Sequence, residues 1–190
     1  VVTTTLTTDT TADIRGTSTI SASGDVGVAA TDTAVVDALT FSLAASLAGA
    51  LGGSSVANSI TDNVSAYVDG TSADKKTSVN RANALTITAD TDYTVTGMSI
   101  GANAGLVAAG ESSATATVGG AVKAYLGDNA EVGQTAGSDV GSIDIETDST
   151  ITVSSKAYAV RGGIGSGGVN LAEAVVNPQI SAYVGSGAIN

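Results

Sequence analysis

Between Ala114 and Leu126 the apolar side chains fall on alternate positions: Ala114, Ala116 and Val118, then Val122, Ala124 and Leu126. A period of two places them on one face of a β-strand, with polar residues or glycine on the other. The two stretches are separated by turn formers, and the same holds wherever the pattern recurs: Thr61-Asp62-Asn63, Gly119-Gly120-Ala121 and Asn177-Pro178-Gln179. Asp, Gly and Pro each favour a change of direction for a different reason. Pro178 would remove a ladder donor from a central strand and is harmless at a corner. A second set of turn formers follows: Asp69-Gly70, Gly127-Asp128-Asn129 and Gly185-Ser186-Gly187. The pattern predicts about six strands per repeat, each of about five residues, joined by corners.

The recurrence is a 58-residue repeat, set by the even spacing of Tyr67, Tyr125 and Tyr183 in the motifs Ser65–Val68, Lys123–Leu126 and Ser181–Val184. Without gaps, the same period aligns Asp32, Asp90 and Asp148, and also Gly52, Gly110 and Gly168. Apolar columns follow it: Ile60, Val118 and Val176; Val64, Val122 and Ile180; Val68, Leu126 and Val184. The chain divides into an imperfect N-terminal repeat or cap (1–26), a first repeat (27–84), a second (85–142) and a partial third (143–190). Short strands with regular turns on a long period predict an all-β fold, a β-solenoid of the parallel β-helix kind. A β-sandwich of stacked hairpins is the alternative. Coils of about 19 or about 29 residues would both divide the period, and the pattern does not choose between them.

One stretch reads differently by itself. Val35 to Leu51 (VVDALTFSLAASLAGAL) is apolar almost throughout and would suit a buried helix. It falls short of the roughly 20 residues a membrane span needs. The repeat argues against a helix, because Arg161–Gly168 (RGGIGSGG) aligns with Ala45–Gly52, and each interior Gly costs about 1 kcal/mol in a helix. The expectation is therefore strand.

Composition narrows the chemistry. Ala, Gly, Thr and Ser make up 104 of the 190 residues, and Cys, His and Trp are absent. Disulfides, thiolate metal sites and the commonest general base are excluded. The net charge of −11 disfavours nucleic acid and anionic membrane surfaces as partners. No membrane insertion is expected. The start at Val1, without a signal peptide, reads as a processed protein or an excised fragment.

Candidate sites are few. By alternation Tyr67, Tyr125 and Tyr183 point outward and form a surface row, either a contact or ligand-stacking platform or a shield for the backbone at the solenoid edge. Asp90 with Asp92, and Asp144 with Glu146, place carboxylates on one strand face. In the ungapped alignment Asp144 meets Val28 and Thr86, so the pairs read as solvated corners and not as a Ca²⁺ site or an acid–base pair. Weak Ca²⁺ binding at Asp62-Asn63, Asp69 or Asp128-Asn129 is left open; no other cofactor, metal or catalytic residue is expected. The Gly162–Gly168 run lacks the Lys and the helix of a phosphate loop.

The Ala84–Ala89 strand (ALTITA), the small-residue stretch Gly101–Gly110 and the Ala124–Asn129 segment (AYLGDN) together resemble the repeats of giant bacterial surface adhesins, the leukotoxin-like filamentous adhesins and autotransporter passenger regions. The resemblance covers about residues 20 to 190. It implies an extracellular or cell-surface β-solenoid, a non-enzymatic fibre or stalk section. Its partner would be another copy of itself or the continuation of a longer chain, with a host or matrix surface beyond that. Exposed strand edges at the ends of such a solenoid favour end-to-end assembly. A carbohydrate-binding or carbohydrate-active β-helix is the alternative.

Overall fold

A computed structural model describes every residue except Ser138 and Asn190. The fold is all-β: among the described residues about 80% lie in strands and none in helix. In order the strands are β1 (Val2–Leu6), β2 (Asp9–Gly16), β3 (Thr19–Ser21), β4 (Val26–Ala45), β5 (Gly49–Gly70), β6 (Thr77–Arg81), β7 (Leu85–Ala104), β8 (Val107–Leu126), β9 (Ala130–Val132), β10 (Ile143–Gly162), β11 (Gly165–Val176), β12 (Gln179–Val184) and β13 (Ala188–Ile189). All ladders between them are parallel.

The path is a flattened β-solenoid. One broad sheet is β4–β7–β10; the other is β5–β8 flanked by β1 and β2 on one side and by β11 and β12 on the other. The short strands β3–β6–β9–β13 close a narrow edge. Each coil runs out along the first sheet, turns at a tip, returns along the second and crosses the narrow edge. One coil therefore consumes a whole repeat, and neither of the shorter coil lengths applies. Two strands of 20 to 22 residues replace the expected series of short ones. The corner expected at Thr61-Asp62-Asn63 and Gly119-Gly120-Ala121 is absorbed inside β5 and β8. Gly120 carries it with φ +106°, and a side chain there would strike the Asp62 carbonyl. Among the described residues the strand breaks there in the third coil, at Asn177-Pro178 between β11 and β12, and in the N-terminal segment, at Thr7-Thr8 between β1 and β2. Val35–Leu51 is strand, tip and strand, as the repeat required.

The register corrects one alignment. β5 pairs with β8, and β7 with β10, at the full repeat interval (Gly52 with Gly110, Asp90 with Asp148). β4 pairs with β7 at one residue more, so Asp90 sits beside Thr31 and Asp32 beside Thr91. Asp32 therefore does not share a column with Asp90 and Asp148. A one-residue slip reverses the face, and Asp32 points inward while the other two point out. Thr86 likewise pairs with Gly27, not with the inward Val28 of the ungapped alignment. The extra residue is hidden in the tip, where the first coil turns through 46–48 and the second through 105–106. Loops conceal a larger exchange. Ser78 pairs with Glu131, a shorter interval than that of Val68 with Leu126, and the loop before β10 restores the difference. The N-terminal segment is a shorter coil too, its β2 meeting β5 with Gly16 beside Gly70.

The interior changes character along the strands. Next to the narrow edge it is aliphatic, with Val64, Val68, Leu85, Ile87 and Leu126 fully buried. Mid-strand, Ile60, Val95, Val118 and Tyr93 form a second cluster. Towards the tip the facing sheets close in, and a Cβ added to Gly97 would already lie 3.4 Å from Val56 Cγ1. Only small or polar residues face inward there, among them Thr40, Ser54, Ser99, Asn103 and Ser112.

The Gly52–Gly110–Gly168 ladder lies in this pinched half. A Cβ on Gly52 would meet Asn103 Oδ1 at 2.6 Å, and one on Gly110 would overlap the Gly52 carbonyl and the Asn103 amide. Overpacking at such a site costs about 1–3 kcal/mol. Gly110→Val is expected to lower the melting temperature by several degrees in a thermal scan followed by circular dichroism, whereas Ala121→Val, on the outer face of the same strand, should leave it unchanged.

Candidate interaction surfaces and interior polar sites

The three tyrosines stack. Tyr67 and Tyr125 ring centroids are 4.8 Å apart with planes 8° from parallel, and Tyr125 and Tyr183 are 5.0 Å apart and parallel. The spacing is that of neighbouring strands, so in-register pairing alone brings like rings together. The faces of Tyr125 are covered by its neighbours, which leaves ring edges for any external contact. Burial, with adjacent Tyr67 and Tyr183 adding to it, pushes the Tyr125 hydroxyl up to about 12.

The acidic pairs are collected on the outer face of the first sheet. Asp90 lies beside Asp148, with Asp92, Asp144 and Glu146 on neighbouring outward positions near the narrow edge. Among the described residues, no three acidic side chains converge as a metal-binding group. The Asp residues considered for weak Ca²⁺ binding have structural partners. Asp69 Oδ1 accepts from the Asn129 amide at 2.9 Å, and Asp128 Oδ1 accepts from the Ser186 amide at 2.7 Å. Each thus ties the turn of one coil to the turn of the next. The hydrogen bonds from Ser186 hold the Asp128 carboxyl below its usual range.

Two carboxylates that looked unrelated in the sequence meet inside the solenoid. Asp62 is 1% exposed and accepts from the Thr8 amide at 2.7 Å. Its other oxygen faces no donor, and the Asp32 carboxylate lies within hydrogen-bonding reach. Asp32 Oδ2 accepts from the Tyr93 hydroxyl at 3.0 Å and from Thr8 Oγ1 at 3.1 Å. Burial raises the Asp62 carboxyl above its ordinary value and the Asp32 charge adds to the rise, against the lowering effect of the Thr8 hydrogen bonds. The pair carries four carboxylate oxygens, and the Tyr93 and Thr8 hydroxyls both lie on Asp32 Oδ2. The sequence hid the site because Asp62 sat in an expected corner and Asp32 in the wrong column.

A third polar cluster lies towards the tip. Ser54, Ser99 and Ser112 bring their Oγ atoms to 2.7, 2.9 and 3.2 Å of one another, all buried. Three hydroxyls with no base beside them satisfy one another and activate none as a nucleophile. Arg161, in the Asn103 column, donates to the Gly110 carbonyl at 3.0 Å. The glycine-rich run that follows it forms the third tip and the start of β11.

The outer face of the tip half is the reverse of its interior. Leu39, Phe41 and Leu43 on β4 are 58%, 65% and 69% exposed. Met98, Ile100 and Ala102 lie beside them on β7, then Lys156, Tyr158 and Val160 on β10. The tips add exposed Leu47, Leu106 and Ile164.

No protein-family model, curated protein or solved structure matches the chain.

The buried Asp62 carboxyl has a pH signature. A folded-state pKa raised above the unfolded one means that the folded chain holds the proton more tightly. The stabilisation is complete below the unfolded value and drains away as pH rises through the folded one. Asp62→Asn, which removes the charge and can donate to Asp32, is expected to melt a few degrees above the wild type at pH 7. The difference should vanish near pH 3 in paired thermal melts.

Proposed function

We propose that the chain is an extracellular structural or adhesive β-solenoid, a fibre subunit or a section of a long cell-surface stalk that assembles end to end. The observation that carries this reading is that each inner column is covered by the coils on either side of it. Val68 and Leu126 are fully buried, yet Val184 in the same column is 49% exposed. Ile60 and Val118 are likewise buried, and Val176 is 51% exposed. Ile143, Ile145 and Tyr183 line an apolar hollow at this end together with Val184 and Ile189. An additional coil, from the same chain or from another copy, would cover these groups and continue every ladder. Open strand edges invite that pairing.

The residues that could do chemistry support a structural role. The serine cluster lacks a base, and the outer carboxylates lie on a ladder without a cleft. A carbohydrate platform is less well supported, because the Tyr125 ring faces are taken up by other tyrosines. Recognition of a host or matrix surface and the extracellular location rest on the resemblance to adhesin repeats.

Val184→Lys places a charge in the open end, where a docked coil would have to bury it. Sedimentation velocity on residues 1–190 is expected to show rods that lengthen with concentration for the wild type and monomers for Val184→Lys, with unchanged thermal melts. A wild type that stays monomeric throughout, or a variant that lengthens equally, overturns end-to-end assembly.

A further inference from the structure

The tip half of the solenoid has its polarity reversed, and we infer that its outer face is a lateral contact between two copies of this solenoid. Serine, threonine and asparagine occupy the interior there, and Thr40 Oγ1, Ser42 Oγ and Asn103 Oδ1 are buried without partners. Large apolar side chains occupy the exterior: Leu39, Phe41 and Leu43, continued through Ile100 to Tyr158 and Val160. The pinch between the sheets explains why these groups cannot be inside. It does not explain why they are apolar, since Thr fits the same outward positions closer to mid-strand, at Thr94 and Thr152. Contiguous apolar patches on a soluble surface mark contact sites.

Charge and area select the partner and its orientation. The same sheet face carries Asp90, Asp148 and their acidic neighbours at the far end, so two copies stacked in full overlap would place carboxylate against carboxylate with strands parallel, or bury carboxylates against apolar side chains with strands antiparallel. Overlap of the tip halves alone, with strands antiparallel across the contact, buries the apolar half and leaves the acidic halves in solvent. A membrane surface is the poorer fit, because a net charge of −11 is repelled by anionic lipid. These three outward columns on three strands, at about 6.7 Å by 4.8 Å per residue, give roughly 300 Å² per copy. Both sides together reach about 600 Å², below the 1,200 Å² of a stable interface. Lateral pairing of single chains is therefore weak, and it strengthens in proportion as coils are added end to end.

Small-angle X-ray scattering over a concentration series separates the two modes of assembly, because end-to-end growth lengthens a rod and lateral pairing thickens it. The wild type is expected to show a cross-sectional radius that rises with concentration. Phe41→Asp/Ile100→Asp should hold the radius of a single solenoid while any lengthening persists, and Thr33→Asp/Thr88→Asp, on the other half of the face, should thicken like the wild type. Thermal melts verify that the variants are folded; Phe41→Ser is the milder replacement where the double variant is not. A wild-type radius that never rises, or thickening undiminished in the folded patch variant, overturns the inference. So does flotation of the wild type, lost in the patch variant, with phosphatidylcholine vesicles in the absence of thickening, which would make lipid the occupant. None of these results bears on end-to-end assembly, which is read from length.

Discussion

Parallel, in-register pairing of each coil with the next is the constraint on which the rest of this structure depends. It repeats the backbone every strand spacing and sets like residues on like. Stacked tyrosines, the ladder of glycines and the aspartate-to-turn bonds between coils all follow from it without further design. The same constraint makes the column, and not the single residue, the unit of fitness. A glycine at position 110 is needed because the carbonyl of Gly52 and the Asn103 side chain occupy the space its side chain would take. It also means that an inner column is covered only where coils lie on both sides of it, as at Val118 and not at Val176.

Much of this was readable from the chain. The tyrosine and glycine columns lie in the second sheet, where the repeat interval holds without interruption. The strand preference of Val35–Leu51 was readable only through its glycine-rich counterpart, which no helix could accommodate. Other features were hidden for identifiable reasons. Asp32 was placed in the wrong column because one added tip residue shifts the first sheet while leaving the second in phase. A loss after β8 and an equal gain before β10 cancel, so the overall period conceals them. The expected corner at Gly119-Gly120 is a local kink that one positive-φ glycine absorbs. Turn formers reported the kink truthfully, but two strands separated by a corner and one long strand with a bend have nearly the same sequence.

The reversed polarity of the tip half was the least legible feature. In a run such as VVDALTFSLAASLAGAL, hydrophobicity alone cannot say which face is buried. Size decides it, since closely approaching sheets admit Ala, Ser, Gly and Asn and turn Leu and Phe outward. The fold is thus stabilised by aliphatic packing beside the narrow edge and by hydroxyl and amide hydrogen bonding beside the tip. Those two halves present opposite outer surfaces, acidic and apolar.

The central claim, one coil per 58-residue repeat, is tested most directly by a cross-link between successive coils. Ser55 and Ser113 occupy one column with their hydroxyls 3.0 Å apart, and adjacent strands at about 4.8 Å are within disulfide reach. The chain has no cysteine of its own to interfere. Ser55→Cys/Ser113→Cys is predicted to form an intramolecular disulfide on mild oxidation, and Ser55→Cys/Ala84→Cys, matched to a coil of half the repeat, is predicted to remain reduced. Cross-linking of the second pair instead of the first would contradict the account.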